Sequence, residues 1–162
     1  MDLVYKRAGL SDIDLLTQTR LQVLRAANGL DESADLRDVE KEARAYYLKS
    51  LKSGDHVAYL VLDGPNFVGA GGVSFYQVMP TCVNPSGRKA YIMNIYTHPG
   101  YRRRGIAYHV LDLLVTEAHE RGVFSISLET TDMGRSVYEK YGFVRSEREM
   151  ALPVEVSPRR GL

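Results

Sequence analysis

The stretch Thr97-His98-Pro99-Gly100-Tyr101-Arg102-Arg103-Arg104-Gly105-Ile106-Ala107 carries the clearest chemical signal in this sequence. A strand ends, the chain turns at Pro99-Gly100, and a helix begins inside a run of arginines. The first amides of a helix have no internal partner and share about half a positive charge. With Gly105 letting the backbone come close to a ligand, such an end suits phosphate oxygens. Arg102, Arg103 and Arg104 would add charge and bidentate donors. A solvated basic turn ahead of an amphipathic helix is the competing reading. Neither the Gly-Lys-Ser/Thr ending of a Walker A loop nor the Gly-x-Gly-x-x-Gly spacing of a dinucleotide fingerprint is present. Gly69-Ala70-Gly71-Gly72 falls within a strand, where small residues serve close packing.

Other reactive side chains offer less. Cys82 lies in a Pro/Asn/Ser loop with no histidine base near it in sequence, so it reads as a free thiol rather than a nucleophile. His56, His98, His109 and His119 show no metal spacing, and no metal is expected. A single cysteine also excludes an intramolecular disulfide framework and a Cys-rich zinc site. The net charge of +1 provides no global field for nucleic acid or an anionic membrane, and one short arginine run lacks the extended basic face that nucleic-acid binding needs. No apolar run approaches the roughly 20 residues of a membrane span. Asp2, Lys6 and Arg7 stand where a signal peptide needs an apolar stretch, so a cytoplasmic location is expected.

The elements that would position these residues follow from periodicity. Residues 3–7 read as an edge strand. Ser11 is expected to cap a helix whose face carries Ile13, Leu16, Val23 and Leu24, ended by Asn28-Gly29. A second helix places Val39, Ala43, Tyr46, Tyr47 and Leu51 on one face and stops before Gly54. Strands follow at 56–62, 67–76 and 91–97, joined by the turn Asp63-Gly64-Pro65-Asn66 and a loop over 80–89. A long helix is expected over about 103–120, then a strand over 124–128, a short helix over 134–141 and a final strand over 143–152. The order gives an α/β fold: a mixed, mostly antiparallel sheet with one parallel crossover and helices on both faces. Parallel neighbours splay where a ligand sits, beyond the carboxyl end of a strand. At 162 residues the chain fits a single domain over 1–156 with a flexible tail over 157–162.

Two motifs together carry a resemblance. Arg102 to Ala107 fits a Gln/Arg-x-x-Gly-x-Gly/Ala pyrophosphate loop following a strand. Val137-Tyr138-Glu139-Lys140-Tyr141-Gly142-Phe143 fits a Leu-Tyr-Glu-Lys-x-Gly-Phe ending at the right separation. The chain thereby resembles the GCN5-related N-acetyltransferase superfamily, and the element order matches that fold from end to end.

The resemblance implies that coenzyme A, as acetyl-CoA, rests its pyrophosphate on the amides of Arg102, Arg103, Arg104, Gly105, Ile106 and Ala107. It implies that the pantetheine arm pairs with the main chain of Ile95 and Thr97, alongside Tyr96. Tyr138 is similar to the family's general acid, which protonates the departing sulfur. Some branches carry a basic Glu on the strand before the phosphate loop, but here that position is Tyr91. Leu128-Glu129 instead matches a branch whose Glu closes the next strand, making Glu129 the candidate base. The alternation places Glu129 with Ser125 and Ser127 on one face, a polar stripe in what is expected to be a central strand. The pantetheine-binding Asn of many members is missing from Thr130-Thr131-Asp132-Met133-Gly134-Arg135, where the Thr131 hydroxyl could substitute.

The acceptor site is expected from the loop over 28–37, the segment over 76–89 and the C-terminal segment. Asp31, Glu32 and Asp35 make the first acidic and suited to a cationic amine, although solvated loop charge explains them as simply. Tyr76, Asn94 and Tyr96 are candidate cleft residues, Asn94 being the one amide in an apolar strand. The expected function is acetyl transfer from acetyl-CoA to a small-molecule or peptide amine by direct attack. The alternatives are a catalytically silent acyl-CoA sensor and a nucleotide-binding domain. The oligomeric state is open, with a homodimer among the options.

Overall fold

The computed structural model describes residues 2–154. Its sheet has five strands in sequence order: β1 (Leu3–Arg7), β2 (His56–Asp63), β3 (Asn66–Gln77), β4 (Arg88–Thr97) and β5 (Ser125–Leu128). Consecutive strands are antiparallel up to β4, and β4–β5 is the one parallel pair. Helices α1 (Ile13–Asn28) and α2 (Arg37–Ser53) follow β1, α3 (Ile106–Glu120) joins β4 to β5, and α4 (Arg135–Tyr141) comes last.

Each face of the sheet is closed by a separate core. On one, Ile106, Val110, Leu111, Leu114 and Ala118 of α3 pack on Val61, Val73, Ala90 and Ile92 of the strands, with Tyr138, Tyr141 and Phe143 against the same cluster. On the other, Ile13 and Leu16 of α1 and Tyr47 of α2 pack on Ala58, Leu60 and Ala70. Gly71 on β3 lets α3 lie close, since a Cβ there would sit 2.4 Å from the Val110 Cγ1 atom. The small residues in this strand therefore serve packing.

Several local expectations are corrected. Ser11 does not cap α1; a 3₁₀ turn (Leu10–Asp12) precedes the helix, and the Asp12 carboxylate accepts from the Gly9 N–H at 2.9 Å and pairs with Lys6 at 2.6 Å. Asp12 itself stands at the N-cap of α1 with its carboxylate turned back to Gly9 and Lys6, so no side chain caps that helix. In α2 the buried stripe runs through Ala43, Tyr47, Ser50 and Leu51, while Val39 and Tyr46 are exposed. The long helix begins at Ile106 rather than near 103, because Arg103 and Gly105 take positive φ values of 63° and 79° that no helix accommodates. Phe124 lies outside β5 and is 72% exposed, its place in the core taken by Val123.

The expected final strand is not formed among the described residues, where 142–154 contain no strand. Arg145-Ser146-Glu147-Arg148-Glu149 interrupts any apolar alternation with residues poorly suited to a pleated, half-buried surface. Within the described residues β5 is therefore an edge strand, not a central one. The expected tail over 157–162 lies outside the described residues.

His56 of β2 is buried against α2, with the Tyr46 hydroxyl 2.9 Å from Nδ1 and 2.6 Å from the Ser74 Oγ atom. Burial, seconded by the positive charge of Arg20, brings its pKa down from 6.5 to about 4. The unfolded chain thus takes up a proton that the folded chain refuses between these values. Stability should fall as pH drops from 6.5 towards 4, by at most about 1.4 kcal/mol per pH unit from this group. Denaturant titrations across that range should show the slope, and His56→Gln should flatten it. Parallel slopes in both proteins would remove His56 as the cause.

Candidate active site

The pairing of β4 with β5 runs from Lys89↔Ser125 to Ile92↔Leu128 and ends there, although β4 continues to Thr97. β5 ends at Leu128, so residues 93–97 of β4 have no β5 partner on that side. Beside this unpaired stretch lies a cleft of about 960 Å³, lined by α1 on one side and by α3 and α4 on the other. On the β3 side the register slips where Gly71 stands between Ala70↔Tyr96 and Gly72↔Met93. Asn94 sits in this bulge with φ 63°, a left-handed conformation that asparagine tolerates better than most residues. The bulge turns the main chain of β4 just where it loses its neighbour.

The loop at the carboxyl end of β4 is held from several sides. The His98 N–H donates to the Val68 carbonyl at 2.8 Å, and the His98 Nδ1 accepts from the Gly100 N–H at 3.1 Å. The Tyr101 hydroxyl donates to the Asp63 carboxylate at 2.7 Å, and the Arg104 guanidinium lies over the Tyr101 ring, 5.1 Å from its centroid. Arg103 and Gly105 then turn the backbone through the left-handed region on either side of Arg104. The first backbone bond of α3 runs from the His109 N–H to the Gly105 carbonyl, leaving the amides of Ile106, Ala107 and Tyr108 without a helical partner. No side chain caps this end, and no acidic residue stands in its first turn. The result is an open, electropositive nest suited to an anion.

Arg102, Arg103, Gly105, Ile106 and Ala107 line the cleft at this end, and Ile95, Tyr96, Thr97 and Thr131 line its walls. Arg104 is the exception among the loop residues, its side chain turned onto Tyr101 instead. The Thr97 Oγ atom is buried without a hydrogen-bond partner, an acceptor and donor held in the wall. Tyr96 stacks on Phe67 with ring centroids 5.8 Å apart, which fixes that stretch of β4.

Tyr138 and Glu129 line the same cleft. Tyr138 projects from α4, its ring edge-on to Phe143 and close to Gly134, where a Cβ would come within 3.1 Å of the Tyr138 Cε2 atom. Burial raises its pKa above the usual 10, so the phenol stays protonated at neutral pH. Glu129 closes β5 beside Tyr91, whose phenol is raised by burial and then by the charge of Glu129 and a hydrogen bond to it.

Of the expected acceptor residues, Asn94 lines the cleft and Glu32 and Tyr76 do not. Glu32 sits on the exposed α1–α2 connection, and Tyr76 lies at the end of β3, exposed, with Lys89 over its ring. Residues not anticipated line the far wall: Arg20, Val23, Ala26 and Ala27 of α1. Arg20 falls four residues after Leu16 and three before Val23, within the apolar stripe of α1, and a cation in that stripe was the available signal. Among the described residues no group of three or more His, Cys, Asp or Glu could hold a metal ion, and no helix is long and apolar enough to cross a membrane.

Known proteins share this fold. A predicted acetyltransferase from Clostridium acetobutylicum, solved with acetyl-CoA, is 34% identical and superposes with a TM-score of 0.85, covering 94% of this chain and 96% of that one. A GCN5-related N-acetyltransferase from Ralstonia eutropha JMP134 shares the fold at 24% identity and a TM-score of 0.80, covering 94% and 99%. The uncharacterized N-acetyltransferase YsnE of Bacillus subtilis (strain 168) is 26% identical over 130 residues, 77% of this chain and 80% of that protein. Residues 23–143, from α1 through the Tyr138 motif, match the acetyltransferase (GNAT) family, and the chain belongs to it.

Proposed function

We propose that this protein transfers an acetyl group from acetyl-CoA to an amine by direct attack within a ternary complex. The observation that carries the reading is a single cleft joining an uncapped helix end, an unpaired strand edge and a half-buried, protonated phenol. The Clostridium relative, solved with acetyl-CoA, supports that donor.

The residues present fit the donor at three points. The amides of Ile106, Ala107 and Tyr108, with Arg102 and Arg103 beside them, offer donors and positive charge to a pyrophosphate. The unpaired edge of β4 at Ile95 and Thr97 offers main-chain groups to an amide-bearing arm, as a missing strand would. The unpartnered Thr97 hydroxyl and the Thr131 side chain line the same wall.

The reaction needs a proton removed from the attacking nitrogen and one delivered to the leaving sulfur. As the nitrogen lone pair forms the C–N bond, the C–S bond breaks and sulfur leaves with its electron pair. Tyr138 gives its phenolic proton to that sulfur, and its raised pKa keeps the proton available at neutral pH. Glu129 takes the ammonium proton, directly or through a water. Nothing in this path needs a covalent acyl-enzyme.

Thermal unfolding with and without acetyl-CoA, with ATP as control, tests the donor site. At about 100 times its dissociation constant, acetyl-CoA should stabilise the fold by about 2.7 kcal/mol, a rise of several degrees. No shift at millimolar acetyl-CoA would overturn the reading, and an equal shift with ATP would point to a nucleotide site. Donor binding without turnover across a broad amine panel would move the protein to the sensor class.

A further inference from the structure

Arg20 is a half-buried cation in the wall of the cleft whose surroundings do not neutralise it. Its Nη1 donates to the Asn94 Oδ1 atom at 3.0 Å, and among the described residues it forms no ion pair with a carboxylate. Two groups that feel its charge are neutral at pH 7. His56 is held uncharged by burial, and Tyr47 is held protonated by burial, with a pKa of about 12. Of the carboxylates lining the cleft, Asp132 pairs with Arg135 at 3.0 Å, and neither Asp132 nor Glu129 pairs with Arg20. Guanidinium carries five donors, and one bond to a neutral amide leaves most of them unused.

Position separates Arg20 from the anion site at α3. Asn94 lies in the bulge of β4, three residues before Thr97, whereas the amides of the anion site lie beyond the end of the strand. Arg20 also approaches from α1, on the face of the sheet opposite α3 and α4. A donor held by the α3 amides and met by Tyr138 approaches from the other face. An acceptor entering on the α1 side passes Arg20, with the small and apolar Val23, Ala26 and Ala27 beside it.

We infer that the acceptor amine carries an oxyanion, a carboxylate or a phosphate, and that Arg20, steadied by Asn94, binds it. The inference rests on the acetyl-transfer reading of the same cleft. It displaces the expectation that the acidic loop around Glu32 selects the acceptor, since Glu32 does not line the cleft. The asparagine takes one N–H of the guanidinium, leaving another edge able to meet two oxygens in the planar, bidentate manner that favours arginine over lysine.

Matched acceptors test this in steady-state kinetics with acetyl-CoA: 4-aminobutyrate against 4-aminobutyramide, glycine against glycinamide, and 2-aminoethyl phosphate against ethanolamine. The wild-type protein should prefer at least one anionic member over its neutral partner by tenfold or more in kcat/KM, mostly through KM. The carboxylate and phosphate pairs tell the two sources of the oxyanion apart. In Arg20→Gln the ratio within that pair should fall to near one, and Arg20→Lys should keep part of it. If Arg20→Gln does not fold, the wild-type ratios and Arg20→Lys still decide. Turnover that ignores the anion, or a preference that survives Arg20→Gln, overturns the inference and leaves acetyl transfer standing. If acetyl-CoA stabilises the fold but no amine in these pairs or a broader panel is acetylated, both fall together.

Discussion

Tyr138→Phe should lower kcat by about 10²–10⁴-fold while leaving acetyl-CoA affinity within a few-fold of wild type, as loss of a positioned general acid does. The split follows from where the side chain makes its contacts. Its ring packs edge-on to Phe143 and against Gly134, contacts that phenylalanine keeps. None of the hydrogen bonds found among the described residues uses its hydroxyl, so removing that oxygen costs the fold no partner. What disappears is one proton held near the sulfur. The pH–rate profile provides a second check. Burial raises the phenol above its usual 10, and the protonated form is the active one, so deprotonation of this acid should not set an alkaline limb below pH 10. Glu129→Gln acts on the other proton and should slow turnover at neutral pH with acetyl-CoA binding intact. Full activity in Tyr138→Phe would give the sulfur a different acid, and a loss of acetyl-CoA binding would make the residue part of the donor site.

The parts of this fold legible in the sequence are those where local backbone chemistry leaves a mark. Gly105 after three arginines marks a helix start with bare amides because few other arrangements need that residue there. Asn94 stands out as an amide in an apolar strand, and it occupies the left-handed corner of the bulge. Other features depend on geometry that residue type does not encode. Arg104 could not be separated from Arg102 and Arg103 by type, because only the turn through Arg103 decides which side chains face the cleft. Glu32 was considered for its charge, yet the α1–α2 connection does not reach the cleft. The strand expected over 143–152 rested on a few apolar residues whose alternation the charged run 145–149 breaks. Arg20 lies 74 residues from Asn94 in sequence, and their contact exists only once α1 crosses β4. Such a juxtaposition leaves no local mark beyond a cation in an apolar stripe.

Gly71→Ala should be among the most damaging single-methyl substitutions, because that position couples the core to the donor site. The added Cβ would lie 2.4 Å from the Val110 Cγ1 atom, 2.7 Å from the Ile95 Cδ1 atom and 3.0 Å from the Leu114 Cδ1 atom. Val110 and Leu114 are fully buried in α3, so neither can swing into solvent. Overpacking of this kind costs about 1–3 kcal/mol, which lowers Tm by roughly 2–4 °C per kcal/mol in a chain this long. Gly9→Ala is the matched control, with nothing within 4 Å of the new Cβ and a negative φ of −123°. It should stay within about 0.5 kcal/mol of wild type. The second effect concerns the site. Of the three neighbours only Ile95 can give way towards space, since it borders the cleft. Its displacement moves the stretch of β4 whose main chain is left unpaired opposite β5. Acetyl-CoA should therefore stabilise Gly71→Ala less than it stabilises wild type, even at temperatures where both remain folded. A lower Tm with an unchanged ligand-induced rise would confine the damage to α3 and separate the core from the cleft. An unchanged Tm would show that α3 and β4 have slack the packing does not suggest.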